Sequence, residues 1–275
     1  MRLLIDHQTR YDYAMPANGI VQLLRLTPRT SDAQHVLNWR IDMDADGWLN
    51  PFTDPHGNLC HIFYAAGAVS ELTLTVTGEV LTRDTAGILG PLSETLPPGH
   101  YLRATARTEL DAALQAFAAA AAGNEPSALS QGHALMAAVK DHVSFDTDAT
   151  HAATDAVTAF GLGRGVCQDI SQIFIACARS RGIPARYVSG HYAAEDHPDQ
   201  EASHAWAELW IDGLGWVGFD PTHGVCPGER HIRVAIGLDS LEASPVRGSR
   251  RGGGAERLAV TVRGIEKAAQ TQSQG

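Results

Sequence analysis

The sequence has 275 residues, 44% of them apolar and 19% charged, which is the balance of a globular protein with a buried core. The formal net charge of −10 at pH 7 provides no basic field that would draw the chain to nucleic acid or to anionic lipid. No apolar run reaches the roughly 20 residues of a membrane-spanning helix, and Asp6, His7 and Arg10 interrupt the start of the chain, where a signal peptide has its apolar region. We therefore predict a cytoplasmic protein without nucleic-acid or membrane partners.

Residues 1–83 predict a small β-rich domain. Residues 71–77 alternate apolar and polar side chains, and residues 36–43 do so less strictly, which is the period of a strand with one buried face. Turn sequences such as Asp46-Gly47 and Asp54-Pro55 separate these strands. Short strands at this spacing favour a sandwich or half-barrel. Residues 84–103, rich in Gly and Pro, form a predicted linker.

Residues 104–240 form a predicted α+β core domain. Apolar residues recur at helical spacing over 104–122, 130–143 and 166–182. Strands are predicted at 185–192, 204–211 and 216–219, the last two joined by a tight turn at 212–215. Helices followed by a run of strands are the α+β arrangement.

The remaining residues, 241–267, are predicted as a C-terminal loop and strand. Residues 247–254 are basic and Gly-rich, as in a loop, and residues 257–262 have a strand pattern. The polar end at 268–275 is predicted to be a disordered tail.

One of the four cysteines is placed differently from the others. None of Cys60, Cys167, Cys177 and Cys226 belongs to a C-x-x-C pair, so zinc-ribbon and thioredoxin interpretations have no support, and free thiols are expected. Cys167 falls in the first turn of the helix over 166–182. Unpaired N–H groups and the positive dipole end favour a thiolate there, and the thiolate is the form that attacks an acyl carbon. Asp169 in the same turn opposes that thiolate, so a nearby imidazolium must outweigh it.

A thiol nucleophile needs a general base and a third group that orients the base. His204 opens one predicted strand, and Asp220 ends the next. Because two strands joined by a tight turn are antiparallel, the start of the first lies beside the end of the second. The sequence therefore predicts that Cys167, His204 and Asp220 form one catalytic set.

These residues lie in motifs that resemble the transglutaminase-like superfamily. The matching segments are Gly165-Val166-Cys167-Gln168-Asp169, residues 181–190 (RGIPARYVSG), His204-Ala205-Trp206 and Phe219-Asp220-Pro221-Thr222. The chain is most similar to the bacterial branch, whose β-rich N-terminal domain and closing segment resemble residues 7–11 (HQTRY), 22–28 (QLLRLTP), 54–58 (DPHGN) and 245–248 (PVRG). The resemblance covers nearly the whole chain.

The resemblance implies a papain-like catalytic core in which Cys167 attacks an amide carbonyl, His204 acts as base and then acid, and Asp220 orients His204. The acyl-thioester then passes to water or to an amine. We favour hydrolysis of a protein or peptide substrate, as by a protease or amidase, because no amine-acceptor site is marked. The Trp that helps to hold the oxyanion in eukaryotic transglutaminases has no counterpart between Trp48 and Trp206. The backbone N–H of Cys167 is one predicted oxyanion donor. No cofactor, calcium loop or metal site is predicted.

Four further residues are candidates for substrate binding. Trp206 and Trp216 lie on neighbouring predicted strands and could wall the substrate groove, with a core role as the alternative. His151 and Asp148 lie in a loop that precedes the nucleophile and could line the pocket, with a solvated turn as the alternative. Arg186 is expected in a structural ion pair. Specificity is expected in the loops at 147–164 and 193–203, the second of which is acidic.

Other functions remain open on the sequence alone. A protein-glutamine transamidase uses the same acyl-thioester, and an arylamine N-acetyltransferase also uses Cys, His and Asp. A peptide-binding module that has lost catalysis is a non-enzymatic alternative. A metal-dependent hydrolase built on Cys167, His204 and Asp220 is a fourth. The sequence does not determine the oligomeric state.

Overall fold

The computed structural model describes residues 1–90, 95–193 and 203–266. The strands are β1 (Arg2–Thr27), β2 (Gln34–Met43), β3 (Gly47–Thr53), β4 (Leu59–Ala65), β5 (Val69–Thr82), β6 (Ser144–Phe145), β7 (Arg164–Gly165), β8 (Ala185–Tyr192), β9 (Ser203–Ile211), β10 (Gly215–Phe219), β11 (His231–Gly237), β12 (Val246–Gly252) and β13 (Glu256–Glu266). The helices are α1 (Ala112–Ala122), α2 (Ala128–His142), α3 (Ala156–Leu162) and α4 (Cys167–Ser180), with a short 3₁₀ helix at Pro98–Leu102. None of the described helices is long and apolar enough to cross a membrane.

Strand β1 organises the seven-stranded N-terminal sheet, because it is 26 residues long and changes partners half-way. Its first half pairs with β5 and β13, and its second half pairs with β4 and β12. Gly19 has a φ of +57°, a left-handed conformation that glycine adopts without a steric cost. Leu24 and Leu26 from the second half of β1 share a buried cluster with Leu74 and Val76 of β5. The two halves therefore enclose a common core.

The C-terminal residues return to the N-terminal sheet. The predicted loop at 247–254 is wrong for most of its length, since β12 occupies Val246–Gly252 and pairs with β1 in the register Val21 to Ser249 and Leu24 to Val246. The glycines and arginines of this segment do not alternate between apolar and polar side chains, so their pattern does not indicate a strand. The segment forms a strand because the unpaired edge of β1 offers hydrogen-bond partners for its backbone N–H and C=O groups. The strand predicted at 257–262 is present within the longer β13. The predicted disordered tail at 268–275 lies outside the described residues.

The second sheet, here called the core sheet, has four antiparallel strands in the order β10-β9-β8-β11. Helix α4 packs on one face, where Ile173 and Phe174 join Ala207 and Leu209 of β9 in the largest buried cluster. Because side chains alternate along a strand, Trp206 points to the opposite face. There it packs with residues of β8, β10 and the 3₁₀ helix, namely Val188, Trp216 and Tyr101.

The N-terminal sheet covers an edge of the core sheet through side-chain amides. Gln34 donates to the carbonyl of Arg233 and accepts from its N–H, both at 2.8 Å. Asn58 makes the same pair of bonds with Ile236, at 2.8 and 2.9 Å. A side-chain amide carries the donor and the acceptor of a peptide group, so these two residues pair with β11 as a neighbouring strand would.

The opposite edge of the core sheet is covered by the predicted linker. Gly218 N–H donates to the carbonyl of Gly87 at 2.9 Å, and Leu89 N–H donates to that of Trp216 at 3.1 Å. Both outer strands of the core sheet are therefore hydrogen-bonded to residues that precede the core in the chain.

The first helix begins later than predicted. Asp111 is the N-cap of α1, and its side chain accepts the N–H of Leu114 at 2.7 Å. The hydroxyl of Thr108 accepts the N–H of Thr105, which holds the preceding residues in a turn. Helix α3 and strand β11, each seven residues long, were not predicted. Asp155 and Gly163, which cap α3, are the signal that could have indicated the helix.

Arg186 lies in a buried ion-pair cluster, as expected. Its Nε donates to Glu208 at 2.6 Å, and Arg233 Nε donates to the other carboxylate oxygen at 2.6 Å. The Arg186 guanidinium also stands 3.7 Å from the ring centroid of Trp216. Burial raises the pKa of Glu208, but the two guanidinium groups more than offset this, so that its pKa lies below the ordinary value.

We expect Glu208→Gln to lower the free energy of unfolding by about 3–5 kcal/mol at pH 7, because the buried Arg186 and the largely buried Arg233 would lose their counter-charge. Since the folded-state pKa of Glu208 is lowered, this stabilisation exists above the unfolded-state value near 4.5 and is lost as the pH falls. Urea unfolding at pH 7 and at pH 4 measures both effects. Glu71→Gln, which removes an exposed pair with Arg10, is the matched control and should cost less than about 1 kcal/mol. Equal costs for the two variants would contradict the role of the buried cluster.

Candidate active site

Cys167 is the first residue of α4 and is half-exposed, whereas Cys60 and Cys177 are buried. Val166 is the N-cap of this helix and makes no side-chain cap bond. Asp169 N–H already donates to the Val166 carbonyl at 2.9 Å, so the N–H groups of Cys167 and Gln168 are those left to face an anion in this turn.

Asp169 has a structural explanation that the sequence did not provide. Its carboxylate is fully buried, and Oδ2 accepts the N–H of Val166 at 2.9 Å and the hydroxyl of Thr150 at 2.6 Å. An acid at the third helical position that bonds back to the N-cap N–H stabilises a helix start. A Cβ at Gly165 would lie 2.7 Å from Oδ2, so glycine is required beside this acid. Asp169 thus holds the start of α4 and fastens the loop of Thr150 to it.

His204 and Asp220 meet at the end of the β9–β10 pair. His204 is the second residue of β9, and Asp220 directly follows β10. His204 Nε2 lies 2.8 Å from Asp220 Oδ2, and both side chains are buried. Cys167 is a side-chain neighbour of His204 and helps to raise its pKa. Since Nε2 faces the carboxylate, Nδ1 is the ring nitrogen left for the thiol. The three predicted residues therefore lie together at this end of the core sheet.

The charged groups around His204 favour its imidazolium form. Burial alone lowers the pKa of His204, but the hydrogen bonds and the negative charges of Asp220 and Cys167 outweigh burial and raise the pKa to about 10. Burial likewise raises the pKa of Asp220, and the hydrogen bonds from His204, His223 and His231 hold it well below the ordinary value. The arrangement supports an imidazolium beside a permanent carboxylate.

Two histidines at this site were missed by the sequence analysis. His223 Nδ1 lies 2.6 Å and His231 Nε2 lies 3.1 Å from the same Asp220 Oδ2 that contacts His204. The spacing of His223, three residues after Asp220 in an Asp-Pro-Thr-His turn, could have indicated it. No local signal could have indicated His231, because it opens the unpredicted strand β11.

His204, Asp220, His223 and His231 have the donor set of a zinc site, with ligand atoms within 4.8 Å of one another. Tetrahedral zinc bonds of about 2.0–2.1 Å would separate ligand atoms by about 3.3 Å. The three contacts of Asp220 Oδ2 are shorter, at 2.6, 2.8 and 3.1 Å. His231 Nδ1 also accepts the N–H of Gly228 at 3.3 Å, which leaves Nε2 as its protonated nitrogen. Hydrogen bonding therefore accounts for the close contacts in this cluster. A bound metal ion would require the ligand atoms to move apart.

The two tryptophans predicted as possible groove walls are core residues. Trp206 is 2% exposed and Trp216 is 3% exposed. They face away from α4 and pack between the core sheet and Tyr101. Burial at this level favours the core role that the sequence left open as the alternative.

His151 and Asp148 are exposed in the loop before α3. His151 Nδ1 accepts the N–H of Ala153 at 3.1 Å, and the N–H of Asp148 donates to Asp146 at 3.0 Å. Thr150, between them, is the residue bonded to Asp169, so the loop is fastened to the start of α4. Their contact with substrate stays a prediction. The acidic specificity loop predicted at 193–203 lies, apart from its two ends, outside the described residues.

Comparisons with known proteins agree with this architecture. Residues 115–221 match the family model of the transglutaminase-like superfamily, and residues 3–81 match that of the bacterial transglutaminase-like N-terminal region. An uncharacterized protein from Mycobacterium leprae is 30% identical over 286 residues, which cover 95% of this chain and 97% of that protein. The chain belongs to the transglutaminase-like superfamily, in the branch that carries the bacterial N-terminal region, as its motifs predict.

Two other relatives bear on activity and fold. A protein-glutamine gamma-glutamyltransferase from Pseudomonas aeruginosa is 33% identical over 90 residues, which cover 30% of this chain and 14% of that protein. The crystal structure of a candidate cysteine protease from Cytophaga hutchinsonii matches with a TM-score of 0.76 and 21% identity, covering 98% of this chain and 92% of that one. At this identity the likeness shows the fold, which is the transglutaminase-like, papain-like fold.

We expect Asp220→Asn to lower the pKa of His204 from about 10 towards its ordinary value of 6.5, because the buried imidazolium would lose its counter-charge. The raised pKa stabilises the folded state below pH 6.5, and this stabilisation disappears as the pH rises through about 10. Imidazole ¹⁵N NMR over a pH series measures the change. Asp212→Asn, at an exposed position in the β9–β10 turn, should leave the His204 titration unchanged. An unchanged titration in both variants would show that Asp220 does not support the imidazolium.

Proposed function

We propose that the protein is a cysteine-dependent amide hydrolase that acts on a protein or peptide substrate through an acyl-thioester on Cys167. The observation that carries this proposal is the juxtaposition of Cys167, His204 and Asp220, with His204 hydrogen-bonded to Asp220 and the thiol at the start of a helix. This is the arrangement of nucleophile, base and orienting group that acyl transfer requires.

In the proposed reaction the Cys167 thiolate attacks the amide carbon and forms a tetrahedral oxyanion. The backbone N–H of Cys167, in the first turn of α4, would be one donor to this oxyanion. The His204 imidazolium gives its proton to the leaving nitrogen, the C–N bond breaks, and an amine departs. Neutral His204 then takes a proton from water, which attacks the thioester. The acid is released, and the thiolate–imidazolium pair returns.

The same acyl-thioester would serve transamidation, with an amine in place of water. Because 90 residues are similar to a protein-glutamine gamma-glutamyltransferase, transamidation is the second candidate function. Hydrolysis remains our preference, because water reaches any half-exposed thioester and no described residue marks an amine-acceptor site.

The test is incubation of the protein with glutamine-containing peptide libraries and a biotinylated primary amine, followed by mass spectrometry. New peptide termini, or glutamine converted to glutamate, support hydrolysis, and both should vanish in Cys167→Ala. Incorporated amine without released fragments would overturn the hydrolytic preference. Acetylation of Cys167 by acetyl-CoA would instead indicate an arylamine N-acetyltransferase.

We expect iodoacetamide to label Cys167 at least about 10-fold faster than any other cysteine at pH 7, because His204 favours the reactive thiolate. Burial raises the pKa of Cys60 and of Cys177 to about 12, and burial also raises the pKa of Cys226. Mass spectrometry of tryptic peptides over time gives the four rates. His204→Gln should reduce the Cys167 rate to that of Cys226. Slow, equal labelling of all four in the wild type would favour the binding-module alternative.

We also expect the rate of Cys167 labelling to survive dialysis against EDTA, since hydrogen bonds account for the contacts of Asp220. Added Zn²⁺ should slow the labelling, because it would compete for the lone pairs of His204 and for the thiol. The same iodoacetamide assay measures both effects, with Mg²⁺ as the control cation. Loss of reactivity in EDTA and its return with Zn²⁺ would support the metal-dependent alternative.

A further inference from the structure

Asp220 receives more hydrogen bonds than a three-residue catalytic set accounts for. Its Oδ2 is contacted by His204, His223 and His231, and its Oδ1 accepts the N–H of Thr222 at 3.0 Å and the N–H of His223 at 3.3 Å. The carboxylate has no exposed surface. Only one of the three imidazoles, that of His204, is used by the proposed reaction.

We propose that His223 and His231 are positioning residues that hold Asp220 as an oriented carboxylate, so that His204 keeps Nε2 towards Asp220 and Nδ1 towards Cys167. The inference rests on the proposed function, and it adds two positioning residues to the three-residue catalytic set.

His231 is suited to act as a permanent neutral donor. Its ring is buried, and its Nδ1 accepts the N–H of Gly228 at 3.3 Å, so Nε2 carries the hydrogen that faces Asp220. Trp206 meets the ring edge-on at 5.3 Å, and Tyr192 meets it at 4.9 Å. Burial lowers the pKa of His231, which keeps the ring neutral at pH 7.

His223 covers the solvent side of the same carboxylate. Its side chain is 36% exposed, and Tyr192 stacks on its ring at a centroid distance of 4.3 Å and an angle of 24°. The ring lies 4.9 Å from that of His204, so it stands between the His204–Asp220 pair and water. The loop that carries it is closed by the N–H groups of Gly224 and Val225, which donate to the carbonyl of Asp220 at 2.8 and 3.2 Å.

Loss of either donor has a defined consequence for Cys167. A buried carboxylate with fewer donors is a poorer anion, because burial favours its neutral form. A less stable or misaligned Asp220 carboxylate stabilises the His204 imidazolium less. In the proposed function, this imidazolium is the partner of the Cys167 thiolate. Removal of His223 or His231 should therefore lower the reactivity of Cys167, although neither histidine is proposed to contact the thiol.

The two contacts use different ring nitrogens, which permits a crossed rescue experiment. Asn places its amide nitrogen near the position of Nδ1, and Gln places its own near that of Nε2. At His223, which uses Nδ1, Asn should retain the donor and Gln should not. At His231, which uses Nε2, Gln should retain the donor and Asn should not. A purely space-filling role would not produce this crossed pattern.

The readouts are the iodoacetamide rate at Cys167 and the ¹⁵N NMR titration of His204, neither of which needs a known substrate. We expect His223→Ala and His231→Ala to slow labelling about 10- to 100-fold, the range for a lost hydrogen bond to a charged group. Both variants should also bring the His204 titration below pH 10, the value expected for the wild type. His223→Asn and His231→Gln should stay within about 3-fold of the wild type.

The His223 variants decide the outcome if a His231 variant fails to fold, because His223 is partly exposed and its removal opens no core cavity. Wild-type labelling rates and titrations in His223→Ala, with Cys167 reactive in the wild type, would overturn this inference and leave the proposed function standing. An unreactive Cys167 in the wild type would instead overturn the proposed function itself. Equal rates for His223→Asn and His223→Gln would also contradict the donor role.

Discussion

The buried carboxylate of Asp220 is the constraint around which the site is built. An ionised carboxylate without exposed surface is stable only when donors replace its water. Three imidazole nitrogens and two backbone N–H groups do so here. These bonds hold the carboxylate that contacts His204, and His204 in turn lies beside Cys167. Under the proposed function, the reactivity of the Cys167 thiol therefore depends on Asp220, which acts on it through His204.

The same constraint links the N-terminal sheet to the site. His231, one donor to Asp220, opens β11, and the outer backbone groups of β11 are bonded by Gln34 and Asn58 at Arg233 and Ile236. Strand β11 is an edge strand, which would otherwise expose unpaired N–H and C=O groups. The N-terminal sheet therefore stabilises β11, the strand that brings His231 to Asp220. This gives the N-terminal sheet a physical role in the candidate site.

Local sequence patterns predicted the parts of the molecule that are determined by nearby residues. The strands at 185–192, 204–211 and 216–219 match β8, β9 and β10 within one residue, because each carries a strand pattern and is bounded on one side by Pro184, Asp212 or Asp220, respectively. The contact of His204 with Asp220 followed from the tight turn between two of those strands. Strand β12 was misassigned because its pairing depends on β1, more than 200 positions earlier in the chain. The tryptophans were placed on strands correctly, but which face of the sheet is covered could not be inferred from their own positions.

The sequence by itself determined the superfamily, the thiol at a helix start and the pairing of His204 with Asp220, since motifs and strand alternation act over short distances. Only the tertiary structure decided what surrounds that pair. It brought His223 and His231 to the same carboxylate oxygen, gave Asp169 its place at the start of α4, and buried Trp206 and Trp216. These outcomes depend on which distant segments cover a polar group or a sheet face, and burial of that kind is a property of the assembled fold rather than of any local pattern.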